Sequence, residues 1–198
     1  MKRIHLIVKD RVLNRFTSLL EKGVGLSVTA GCTFRELLCD QLGLSDEYLN
    51  RRIQTLFLNA RPVDDVDRTL VQDGAIIALS SAMPGILGAT MRKGGKYAAF
   101  RKSISQQETD VSLTPKKGHV TLKMFNMVAK EIGIHLLQTG VEVRGTDLYR
   151  VVAKLPEKLE NQIQNMCLNG KAVEPSLARF NSILDEPINL SIDVKGGN

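Results

Sequence analysis

Two kinds of residue in this chain could do chemistry: paired glycines and clustered cations. Gly-Gly occurs at Gly94-Gly95 and at Gly196-Gly197, the second pair followed by Asn198. A stretch without β-carbons can thread into a narrow active site. The segment "DVKGGN" (193–198) is therefore a candidate reactive tail. The cations Arg92, Lys93, Lys96, Arg101 and Lys102 fall within residues 92–102 with no acid among them, and Tyr97 and Phe100 are interleaved. Residues 1–105 hold 16 Lys+Arg against 10 Asp+Glu, and residues 106–198 hold 11 against 11, so the net charge of +6 lies wholly in the first part. A basic arm with aromatics suits an acidic protein partner or nucleic acid, through salt-sensitive contacts. No ordered nucleic-acid motif accompanies it.

Other reactive types are scattered. Cys32, Cys39 and Cys167 form no C-x-x-C, and His5, His119 and His135 have no ligand spacing. Cys32 and Cys39 could share a helix face, but two turns separate their α-carbons by about 10 Å, too far for a disulfide. Cys167 stands at the strand position equivalent to Phe57, which favours a core role. Asp64-Asp65 and Asp185-Glu186 sit at expected turns, as solvated carboxylates. No phosphate-binding glycine loop, dinucleotide fingerprint or nucleophile elbow occurs. The chain reads as a non-enzyme needing no cofactor. Its cysteine usage fits a reducing cytoplasm. No apolar run approaches the roughly 18 residues of a membrane span. "MKRIHLIVKD" reads as a strand and not a signal peptide.

The elements that must position these residues occur twice. "IQTLFLNARPVDD" (53–65) and "IQNMCLNGKAVEP" (163–175) align without gaps at an offset of 110, with Ile53/Ile163, Gln54/Gln164, Leu58/Leu168, Asn59/Asn169 and Val63/Val173 identical. Each predicts a strand, a tight turn and a short return strand. "IHLIVKD" (4–10) and "VTLKMFN" (120–126) are apolar strands ending in candidate N-caps, Asp10 and Asn126. Val12, Phe16, Leu19 and Leu20 then follow helical spacing, as do Val128, Ile132 and Leu136. Glycines after "LLEK" and "LLQT" suit helix C-termini. Second strands are expected at 25–30 and 141–145. Main helices are expected at 33–44, opened by the capping-box pair Thr33 and Glu36, and at 146–155. Closing strands are expected at 73–81 and 185–194.

A hairpin, one helix across it and further strands describe a β-grasp arrangement. The expected fold class is α+β: two tandem β-grasp (ubiquitin-like) domains at 1–85 and 118–198, with a basic hairpin and linker at 86–117. Gly94-Gly95 would form the hairpin's two-residue turn. From Ser105 the stretch is polar and reads as linker. Alternatively, the hairpin packs Tyr97 and Phe100 on the sheet, or it is a carrier-like tail buried in a longer chain.

"VTLKMFNMVAKEIG" resembles the opening of the ThiS/MoaD-type β-grasp sulfur carriers, the small subunit of molybdopterin synthase and its thiamine-pathway relative. "LFLNARPVDDVDRTLVQDGAIIALSSAMPG" is similar to their later part. The resemblance covers most of residues 2–85 and 118–197. It implies a carrier whose terminal Gly-Gly carboxylate is adenylated by an ATP-dependent activating enzyme, converted to a thiocarboxylate and delivered to a sulfur-accepting enzyme. On that reading Gly196 and Gly197 form the tail. Asn198 departs from the pattern, because Gly197 has a free carboxylate only after its removal. The other reading is an accessory binding subunit that uses the basic segment 86–104.

Overall fold

The computed structural model describes residues 1–101, 103–106, 114–156 and 158–194. The fold is mixed α+β. In chain order its elements are β1 (Lys2–Val8), α1 (Asp10–Lys22), β2 (Val24–Ala30), β3 (Cys32–Thr33), α2 (Asp46–Arg51), β4 (Thr55–Leu58), β5 (Arg61–Pro62), β6 (Leu70–Val71), β7 (Ile76–Ser80) and α3 (Gly85–Met91). They continue with β8 (Lys116–Phe125), α4 (Asn126–Glu131), α5 (Gly133–Thr139), β9 (Val141–Arg144), α6 (Gly145–Val152), β10 (Ile163–Leu168), β11 (Lys171–Val173), α7 (Leu177–Asn181) and β12 (Pro187–Val194). No described helix is long and apolar enough to cross a membrane.

The chain divides into two compact units that cut across the two sequence copies. One comprises residues 1–24 with 129–198, and the other residues 25–128. The opening strand and helix of the first copy thus belong with the second copy's elements. Strand β8, which opens the second copy, belongs with the first copy's elements.

In the unit formed by 25–128 the strand order is β2-β8-β7-β4-β5, with β3 and β6 as a separate two-stranded pair. β7 runs parallel to β8 and antiparallel to β4. In the other unit the order is β11-β10-β1-β12-β9. Here β1 runs antiparallel to β10 and parallel to β12, and β12 runs antiparallel to β9. The orders match role for role. β1 stands where β7 stands, and β12 where β8 stands.

The turn asparagines mark this equivalence. Asn59 and Asn169 both adopt positive φ, 50° and 51°, in the region where Asn is tolerated. The Asn59 N–H donates to the Ile76 carbonyl at 2.8 Å, and the Ile76 N–H donates back to Asn59 Oδ1 at 2.9 Å. Asn169 makes the same two bonds, at the same lengths, with Arg3 of β1. The expected counterpart of β7 was the strand near 185–194. The structure puts β1 there and moves β12 one place outward.

Local signals explain the elements. The Thr33 hydroxyl accepts from the Glu36 N–H, and Glu36 Oε2 accepts from the Thr33 N–H, closing the capping box. The helix it opens is short and wide, because the Leu42 N–H donates to Leu37, five residues back. Gly23 and Gly140, at φ 110° and 106°, end their helices by donating to Leu19 and Leu136. Asp10 lies in the first turn of α1 without a side-chain cap bond. Asn126 stands at the start of α4, and its Nδ2 donates to the Ala82 carbonyl and the Ser80 hydroxyl.

Burial follows the apolar periods. Ile4, Leu6 and Val8 alternate inward along β1 and meet Val12, Phe16, Leu19 and Leu20 of α1 in one core. Phe34, Leu37, Leu38, Leu56, Ile77, Leu79 and Leu122 build the other. Each fully buried side chain of this kind contributes about 1.5–3 kcal/mol.

Candidate partner-binding surface

The hairpin expected at 86–104 is a helix and a turn, with no strand among its described residues. After β7 the chain reverses at Pro84-Gly85, where Gly85 has φ 74°. α3 follows. Gly88 is fixed by proximity, since a β-carbon there would meet the Met83 carbonyl oxygen at 1.7 Å. Gly94, at φ 60°, makes the second reversal, and the Gly95 N–H donates to the Arg92 carbonyl at 3.1 Å. Ala98–Arg101 forms a single helical turn. Helix and turn behave as a strap, fastened at several points to residues 49–64 of the same unit.

The main fastening is Arg101, only 3% exposed. Its Nη2 and Nη1 grip the Asp64 carboxylate at 2.6 and 2.8 Å. Its remaining donors reach the Thr90 carbonyl at 2.6 Å, the Arg92 carbonyl at 3.2 Å and the Ser105 hydroxyl at 2.7 Å. Such a planar fork suits a buried guanidinium. The Lys93 ammonium donates to the Leu49 carbonyl at 3.2 Å. Burial pushes its pKa down, helped by nearby Arg35 and opposed by Asp67. Arg92 donates to Gln54 Oε1 through Nε and Nη2. Two backbone bonds tie the strap to the sheet: the Lys93 N–H to Gln54, and the Gln106 N–H to Pro62 of edge strand β5.

These contacts sort the expected site residues. Arg101 holds the strap down and is not available to a partner. Lys93 is half-buried. Arg92 remains exposed and pairs only with a neutral amide, so its charge is uncompensated there. Lys96 is exposed and makes no hydrogen bond or ion pair among the described residues. Tyr97 lines a groove with Thr55 of β4, while Phe100 is turned to solvent. Their rings lie 6.2 Å apart, tilted by 32°, and Phe100 is 82% exposed. Lys102, Gly196, Gly197 and Asn198 lie outside the described residues, as does most of the expected linker.

The strap segment exposes further apolar side chains. Ile86 is 87% exposed, and Leu87 and Ile104 are also open. A groove of about 370 Å³ lies between Gln54, Thr55, Gly88, Arg92, Lys96 and Tyr97. The strap therefore offers apolar and aromatic groups flanked by two available cations. None of its described residues is acidic.

Sequence reasoning missed Asp64, read as a solvated turn carboxylate. Nothing in its neighbours announces an arginine 37 positions later. Its companion Asp65 is a local turn former, accepting from the Asp67 and Arg68 N–H groups. The cysteines are free thiols: Cys32 is buried, while Cys39 and Cys167 are half-buried. Cys167 is thus not a full core residue. Burial raises the pKa of Cys32 and Cys39, which keeps both as weakly nucleophilic thiols. No group of three His, Cys, Asp or Glu among the described residues could hold a metal.

Comparison with protein-family models, curated proteins and solved structures finds no match to this chain.

Proposed function

We propose that this chain is a tandem β-grasp-type binding protein that acts through protein partners. In this reading the strap of the 25–128 unit is the contact face. The same order of five strands in each unit, each ending in the repeated hairpin, supports the fold reading. The observation that carries the functional reading is the fastening of the strap. Arg101 is spent on holding the segment, while Phe100, Ile86 and Leu87 are turned to solvent beside Arg92 and Lys96. Several exposed apolar side chains on one short segment that also carries cations are a feature of interaction sites.

The partner chemistry that fits is an acidic protein segment carrying aliphatic or aromatic residues. Acids would meet Arg92 and Lys96, and apolar groups would cover Phe100 and α3. Single-stranded nucleic acid is the lesser fit, because two of the five cations are consumed internally. Tyr97 and Phe100 are tilted and do not form parallel stacking platforms.

Titration of the full chain with acidic peptides containing Leu and Phe, and in parallel with a mixed-sequence single-stranded DNA oligonucleotide, tests the reading. Peptide binding should weaken about tenfold in Phe100→Ala. It should lose part of its salt dependence in Lys96→Ala. Binding of DNA alone, or peptide binding unchanged in both variants, refutes it.

A further inference from the structure

The Arg101 fastening contains a group that the proposed function does not use. The Ser105 hydroxyl sits inside it, 2.7 Å from Arg101 Nη1 and 3.1 Å from Asp64 Oδ2. It also lies 3.3 Å from the Arg101 carbonyl. The hydroxyl thus touches both members of the ion pair between buried Arg101 and exposed Asp64, which joins the strap to the chain just after strand β5. Ser105 is only partly buried and lies where the described chain leaves the fastening. Arg101 and Lys102 precede it at four and three positions, and no acid occurs from 86 to 104.

We propose that Ser105 is a phosphorylation site that transfers Arg101 from Asp64 to a phosphate and so unfastens the strap from β5. The co-reactants are ATP and a protein kinase that reads basic residues upstream of its target. Ser105 Oγ attacks the γ-phosphorus, forming an O–P bond. The bond from that phosphorus to the bridging oxygen breaks, and ADP leaves with the electron pair. The hydroxyl proton passes to the kinase's general base. The product places about 1.5–2 negative charges at Ser105. Arg101 is already within hydrogen-bond reach of that position, and guanidinium pairs strongly with phosphate. Asp64 is also within hydrogen-bond distance, at 3.1 Å, and carries like charge, so it is expelled. The bidentate tie to the β5 end is lost. The Lys93 and Gln106 backbone bonds, the Arg92 side-chain bonds to Gln54 and the Lys93 ammonium bond to Leu49 then hold the strap.

Recognition of Ser105 requires local opening of the segment. The short helix, two glycine reversals and exposed side chains there suit the low-stability end of a fold. Only the consequence for binding rests on the strap being the contact face; the unfastening does not.

The test uses the full chain with ATP and a basic-directed serine/threonine kinase, site mapping by mass spectrometry, and hydrogen exchange. Phosphate should appear on Ser105. Amides of residues 92–106 should then exchange at least tenfold faster, while those of β10 and β11 are unchanged. Ser105→Glu should move exchange in the same direction, and unmodified Ser105→Ala should stay near the parent. Phosphate absent from Ser105, or confined to Ser103, overturns the proposal. So does a phosphorylated chain with unchanged exchange. Affinity for the acidic peptides is measured on the same samples. Faster exchange with unaltered peptide binding would leave the switch standing and count against the strap as contact face.

Discussion

The two repeated hairpins carry the same turn and meet different fates at their edges. "LNARPVDD" ends in Asp64, whose carboxylate grips Arg101 of the strap, and β5 has its outer carbonyl at Pro62 bonded by Gln106. "LNGKAVEP" ends in Glu174, whose exposed side chain makes no such bond among the described residues. Its backbone carbonyl accepts from Arg179 Nε of nearby α7 at 3.1 Å. Gln54 and Gln164 diverge likewise. The first receives Arg92 and the Lys93 N–H, while the second is exposed. Edge strands invite pairing with other chains and are commonly covered. Here the cover is not part of the repeat. It comes from the segment that follows the first copy, so the two hairpins differ in what lies beside them.

The largest test of this contrast removes the acid at each hairpin end. Asp64→Ala leaves a buried guanidinium without its counter-ion and should destabilise its unit by about 3 kcal/mol. That is the low end for such a loss, because Asp64 is itself 40% exposed. Glu174→Ala should stay within about 0.5 kcal/mol. Urea denaturation measures both, and equal losses would erase the distinction.

The next test probes what the hairpins share. Asn59→Ala and Asn169→Ala each lose a bond to a strand N–H and must hold alanine at positive φ. Each should destabilise by about 1–2 kcal/mol. Hydrogen exchange should localise the losses to Ile76 and Arg3, respectively. A much smaller effect at Asn169 would break the equivalence of β1 with β7.

A subtler effect is a pH dependence confined to the strapped hairpin. Burial disfavours the Lys93 ammonium, lowering its pKa below the ordinary 10.5. The folded unit then binds fewer protons than the unfolded chain between those two values. Stability should therefore rise as pH climbs through that window, and the penalty is present in full below it. Lys93→Met should flatten the profile. A profile unchanged by that substitution would show that Lys93 does not set it.

The smallest expected effect is on stability at the exposed Phe100. Phe100→Ala should change it by less than about 0.5 kcal/mol, because the ring is turned to solvent. A loss of several kcal/mol in thermal or chemical denaturation would mean the ring is structural.

Features encoded by neighbours were legible in the sequence. The Thr33/Glu36 box, the glycines after both amphipathic helices and the asparagine turns all follow from residues within a few positions of each other. Strand partnership was not legible. "RIHLIV" and "PINLSI" share one inward alternation, so either satisfies the face that β10 offers; the choice is tertiary. The same limit hid the strap. A run of cations between glycines looks like a free basic arm until one cation is found buried against Asp64. Tyr97 and Phe100 carry no mark that distinguishes a packed aromatic from an exposed one.

Strand β1 also has a history in time. Residues 2–22 leave the ribosome well before their partners in the sheet, residues 163–194. At about 5–20 residues per second, the nascent β1 and α1 wait roughly ten to thirty seconds for them. Meanwhile the 25–128 unit has all its strands and can close. Newly made chains thus pass through a stage with one finished body and one orphaned amphipathic arm, whose buried-to-be face is bare. Retention by a chaperone, and sensitivity to translation rate, would fall on that arm and not on the strap.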